Sequence, residues 1–88
     1  MTRNEFEEVA RNEGYHELIE ASFKPLSKRE IHSHDKVSFV YVLEGEFILN
    51  TVDGSPSYRS GETCVVEKGI DHAEGAGPEG ASILVARK

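Results

Sequence analysis

The stretch His32-Ser33-His34-Asp35-Lys36-Val37-Ser38-Phe39-Val40-Tyr41-Val42-Leu43-Glu44-Gly45-Glu46 sets two imidazoles one residue apart and follows them with a run that is apolar on both alternating sets. Successive side chains of an extended segment point to opposite faces, so His32 and His34 share a face. Phe39, Tyr41 and Leu43 oppose Val40 and Val42, the pattern of a strand covered on both sides. One side reads as barrel interior and the other as a dimer contact.

On either side of this run the chain has the same character. Short stretches rich in Val, Ile, Phe and Tyr are broken by Gly, Pro, Asp and Ser, which places strands at about 16–24, 31–34, 37–44, 46–52, 56–59, 62–67, 71–75 and 81–87. Asp53-Gly54, between Val52 and Ser55, is a hairpin-turn signal. Pro25, Gly45, Ser60-Gly61, Gly69 and the Gly75–Gly80 stretch mark the other corners. Helical character is confined to the start, where Thr2 or Asn4 can cap Glu5–Glu13, Phe6, Val9 and Ala10 form an apolar stripe, and Gly14 offers a stop. The expectation is one domain over residues 1–88, with a helix in 1–14 and a β-barrel over 15–88. Seven or eight short strands in so small a chain bury a core only by closing into a barrel or packing as two sheets.

Composition narrows the partners. Ten Lys and Arg against sixteen Asp and Glu leave a formal charge of -6, which repels phosphate backbones and anionic lipid alike, so nucleic acid and membranes are not expected partners. The first twenty residues carry no apolar run, and the expectation is a cytoplasmic protein without signal peptide or membrane span. Cys64 is the single cysteine and excludes an intrachain disulfide. It sits in the apolar run Cys64-Val65-Val66 with nothing basic beside it, the setting of a packing residue rather than a nucleophile. A core of this size is marginal alone, which together with the doubly apolar strand suggests a homodimer.

A third histidine lies in Gly61-(five residues)-Glu67-Lys68-Gly69-Ile70-Asp71-His72, where the turn at Gly69 can deliver it beside the first two. Three inward imidazoles hold one divalent metal and leave coordination positions open, as catalytic sites do. Fe, Zn, Ni, Cu and Mn all suit such ligands, and ligand type alone does not separate them. His16 lies outside both segments and reads as a surface or packing residue.

The two segments resemble the two motifs of the cupin superfamily. His32-Ser33-His34 followed by Tyr41-Val42-Leu43-Glu44-Gly45-Glu46 is similar to the first motif, and Gly61–His72 to the second, in the same order and at a matching separation. The resemblance covers about residues 31–87 and is strongest to short, functionally uncharacterised bacterial cupins. It implies an all-β, double-stranded β-helix (jelly-roll) barrel with a short N-terminal helix and a metal inside, held by His32, His34, His72 and a motif-one glutamate. That glutamate is absent: its place is taken by Ser38. Glu67 replaces the second motif's proline, and Ala76 a later asparagine. Glu74, two residues after His72 and on the same face, offers a replacement carboxylate; the competing reading is a solvated edge carboxylate, because Gly75–Gly80 looks like a loop. The function implied is a metal-dependent, oxygenase-like reaction on a small, anionic organic molecule, with a non-catalytic small-molecule-binding or sensor module, with or without metal, as the alternative.

Overall fold

The computed structural model describes all of Met1–Lys88. Its elements are α1 (Arg3–Asn12), β1 (Glu17–Phe23), β2 (Ser38–Asn50), β3 (Ser57–Arg59), β4 (Thr63–Val66) and β5 (Ala73–Arg87). Thr2, not Asn4, is the helix cap: its hydroxyl accepts from the Glu5 amide (3.2 Å) while the Glu5 carboxylate accepts from the Thr2 amide (2.7 Å). The two contacts satisfy orphan donors at the helix start reciprocally. No helix is long and apolar enough to cross a membrane.

Two strands dominate. At about 3.3 Å per residue, straight strands of the lengths of β2 and β5 would run about 43 and 50 Å, whereas the longest dimension of the protein is 33 Å. Both therefore bend, and each takes part in two separate stretches of pairing within one five-stranded sheet. The first half of β2 and the second half of β5 pair with each other, flanked by β4 and β1. Their other halves pair again, flanked by β3 and by the segment that carries the bridges Lys28↔Gly75 and His32↔His72. The result is a double-stranded β-helix, with all strand pairings antiparallel.

The expected strands 37–44 and 46–52 are thus one strand, and 71–75 and 81–87 are another, with Gly75–Gly80 inside β5 rather than in a loop. The register shifts between Val42 and Glu44 and between Gly45 and Phe47. Such bulges insert extra residues and reverse which set points inward. Val40 and Val42 face the interior before the bend, and Phe47 and Leu49 after it. The break in alternation looks like a strand end in sequence. Glycine is demanded here: at φ +78 a Cβ on Gly45 would sit 2.1 Å from the Gly80 carbonyl oxygen, and one on Gly80 2.7 Å from that of Phe23.

Two further expectations change. Segment 31–34 is not a strand but an extended piece carrying the single bridge at His32. The hairpin loop is Val52-Asp53, closed by paired Thr51 and Gly54, one residue earlier than Asp53-Gly54. The outer face of β2 is also reassigned. Phe39 and Tyr41 pack under Phe6 and Ala10 of α1, so the chain's own helix, not a second copy, covers the face read as a dimer contact.

Candidate metal centre

His32 and His72 exchange both backbone hydrogen bonds, each amide donating to the other's carbonyl at 2.9 Å. Directly opposed residues in such a pair carry neighbouring side chains on one face. His34 follows two residues after His32, its carbonyl held by the Gly69 amide (2.9 Å), and Glu74 follows two residues after His72. A single bridge and a glycine turn thereby collect four side chains distant in sequence.

The donor atoms of His32, His34, His72 and Glu74 all lie within 4.8 Å of one another. Glu74 Oε1 is 3.2 Å from His32 Nε2, 3.3 Å from His72 Nε2 and 3.8 Å from His34 Nε2. Ligands about 2.1 Å from one tetrahedral ion stand about 3.4 Å apart, so these separations suit a shared cation. The side chain of His72 is 2% exposed and forms the floor; those of His32 and His34, at 35% and 28%, face the mouth. Glu74, at 18%, points in with the histidines and is not a solvated edge carboxylate.

The protonation pattern also fits a cation. Nδ1 of His32 donates to the Glu30 carbonyl (2.8 Å) and Nδ1 of His72 to that of Ile70 (2.9 Å). A neutral imidazole has one N–H, so in the neutral form of both rings Nε2 presents a lone pair, whereas a protonated ring donates from Nε2 to Glu74. Those lone pairs converge on a carboxylate oxygen, which is also an acceptor. Burial, followed by the positive charge of Arg87, holds His34 below its ordinary value of 6.5, keeping that ring neutral and available as a donor.

Ser38, where the family glutamate would stand, is 4% exposed and turned into an internal cavity of about 30 Å³ bounded by His34, His72, Glu74 and Arg87. Arg87 escaped the sequence reading, although Ile83, Val85 and Arg87 form one alternating set and the first two are core. A charged residue continuing an inward apolar set was the available signal. His16 is exposed in the turn after α1, away from the cluster.

A jelly-roll barrel with an HxH segment bridged to a third histidine defines the class: the fold is that of small cupin-superfamily proteins. The chain is 26% identical over 82% of its length to an RmlC-like cupin from Shewanella frigidimarina (TM-score 0.69). To a cupin-2 domain-containing protein of the same organism it is 24% identical over 78% (0.65), and to Bacillus subtilis oxalate decarboxylase, a protein with Mn(II) centres, 22% over 81% (0.71). The chain spans 66%, 64% and 20% of those three proteins. No protein-family model and no curated protein matches it.

Proposed function

We propose that residues 1–88 form one cupin unit that binds a single divalent transition metal through Nε2 of His32, His34 and His72 and the Glu74 carboxylate, and acts on a small organic molecule. The observation that carries this is the convergence of the donor atoms of His32, His34, His72 and Glu74 within 4.8 Å of one another, with Nε2 of His32 and His72 at 3.2 and 3.3 Å from Glu74 Oε1. Four acceptors at that spacing repel one another unless a cation or a proton lies between them. A bound metal would supply Lewis acidity and ionise a coordinated water. The residues do the positioning: the Glu30 and Ile70 carbonyls orient two rings, buried His72 anchors the floor, and half-exposed His32 and His34 leave the mouth accessible. Glu74 neutralises part of the charge, taking the place of the carboxylate missing at Ser38.

Mn, Fe, Ni, Cu and Zn are all compatible with this donor set. The chemistry we favour is oxygenase-like; a non-catalytic sensor or binding module uses the same site without turnover. The setting is cytoplasmic, without nucleic-acid or membrane partners. A homodimer is proposed on new ground: β1 is an edge strand with exposed Leu18 and Ile19, and a sedimentation profile showing only monomer at micromolar concentration removes it.

The test is metal analysis of chelator-stripped protein reloaded with each metal in turn. One equivalent is expected in wild type, with affinity at least tenfold lower in Glu74→Gln and His72→Ala. Uptake well below one equivalent for every metal, or equal affinity in all three proteins, refutes the proposal. Stoichiometric metal without turnover of small acids, thiols or sugars selects the binding module over the enzyme.

A further inference from the structure

Ser38 and Arg87 are partners across the β2–β5 ladder, and each holds a buried polar atom with no hydrogen-bond partner: the Ser38 hydroxyl and the Arg87 Nε. Buried polar groups are almost always satisfied, so an unpaired one calls for a missing partner. Here two lie side by side. The outer end of Arg87 leans to Glu17, with Nη1 3.8 Å from its carboxylate, while Nε stays buried and unpaired. Both residues line the cavity of about 30 Å³, together with His34, His72 and Glu74 and the apolar Val40 and Val85.

We propose that this cavity is a receptor for a small monoanion, gripped by the Ser38 hydroxyl and Arg87 Nε and bordered by His34, His72 and Glu74 of the four-donor cluster. A guanidinium is permanently charged and donates through N–H, and a hydroxyl turns to donate as required; together they match an anion. Size sets the class. A water needs roughly 10–15 Å³ of such volume, so about 30 Å³ admits two or three heavy atoms, as in azide, cyanide or formate, and excludes dicarboxylates and sugars. Charge agrees: a divalent ion with one carboxylate and three neutral imidazoles keeps a net positive charge, to which Arg87 adds another. The inference rests on the metal reading for the anion's second partner, whereas the Ser38–Arg87 grip belongs to the chain alone.

Azide is the probe. Cobalt(II)-loaded protein, its cobalt content measured first, is titrated with azide while the visible spectrum is followed. In parallel the Arg87 Nε–H resonance is followed in 15N-labelled protein with and without metal. The expected result is saturable spectral change with a displaced Arg87 resonance, and affinity weakened roughly tenfold or more in Ser38→Ala and Arg87→Lys at unchanged cobalt content. Ser38→Ala removes only an unpaired hydroxyl, and matched thermal unfolding confirms that it folds. Equal azide affinity in wild type and both variants overturns the inference and assigns the cavity to water. Protein that takes up no cobalt refutes the metal reading instead; the inference then stands or falls on whether azide moves the Arg87 resonance in metal-free protein.

Discussion

Phe6→Ala tests whether the N-terminal helix is the cover that lets so small a barrel stand. Phe6 is 0% exposed, with ring centroids 4.6 Å from Phe39 and 5.3 Å from Tyr41. Truncating a buried Phe to Ala typically costs about 3–5 kcal/mol. Helix α1 has 10 residues, too few to persist in water without tertiary contact, so losing its largest anchor undocks it rather than leaving a tidy cavity. At about 0.05–0.15 kcal/mol per residue, a chain of this length has roughly 4–13 kcal/mol in total, and the substitution removes about a quarter or more. With a urea m-value of about 2 kcal/mol/M, the midpoint falls by about 2 M. Undocking bares Phe39 and Tyr41 together, so the variant should also bind hydrophobic dye and associate beyond the assembly wild type forms. Urea melts followed by far-UV circular dichroism, with sedimentation in parallel, make the measurement. A loss below about 1 kcal/mol with no new association refutes the assignment of α1 as the cover of that face.

Three further outcomes are expected. His34 sits below its ordinary 6.5 mainly through burial, so the unfolded chain takes up a proton there first as pH falls; its stabilising contribution, full above 6.5, is lost as pH drops towards the folded value. Urea midpoints of metal-free protein from pH 7.5 to 5.5 should fall more steeply in wild type than in His34→Gln, and the opposite slope difference contradicts this. Burial pushes the Cys64 thiol up from 9.0 to about 12, which makes thiolate at pH 8 roughly a thousandfold scarcer. Iodoacetamide should label the folded protein correspondingly slowly and the urea-unfolded chain at the ordinary rate; equal rates refute it. Gly45→Ala drives a Cβ to 2.1 Å from the Gly80 carbonyl, whereas Gly54→Ala, although also at positive φ, meets open space. Calorimetry should give the larger drop in Tm for Gly45→Ala, and equal drops refute the crowding argument.

What the sequence disclosed follows from how local each signal is. The helix start and the pair His32/His34 are decided within three or four residues: the histidine pair could be read directly, and the cap narrowed to Thr2 or Asn4, of which the structure uses Thr2. The third histidine needed its spacing after Gly61, because only the bridge between His32 and His72 makes it a neighbour. Long strands were misjudged at Gly45 and Gly75–Gly80, since glycine weakens a strand interior but here lets two strands approach within a side chain's width. The same error made Glu74 look like the rim of a loop. Once Gly75–Gly80 is recognised as strand, ordinary alternation from His72 turns Glu74 inward. The second face of β2 was correctly read as covered, but its cover lay in α1, a pairing between residues 6 and 39 that no periodicity reveals.

The exchange of carboxylate positions explains more of the site than the loss of one ligand. A glutamate at position 38 would stand opposite Arg87 on the neighbouring strand, filling the cavity and pairing the guanidinium. With serine there and Glu74 supplying the carboxylate from β5, the negative charge moves to the far side of the chamber. Arg87 is left with an unpaired inward N–H. The donor count at the centre is preserved: three imidazoles and one carboxylate. What changes is the field within the barrel, since the positive charge of Arg87 is no longer answered by a neighbouring ligand and the space beside it is empty of side chain. The outer end of Arg87 pairs with Glu17, but its buried Nε–H lacks a partner, and the cavity it lines also borders His34, His72 and Glu74. Relocating one carboxylate therefore couples two features that differ from the family pattern, Ser38 and Glu74, and makes an anion the species that completes both.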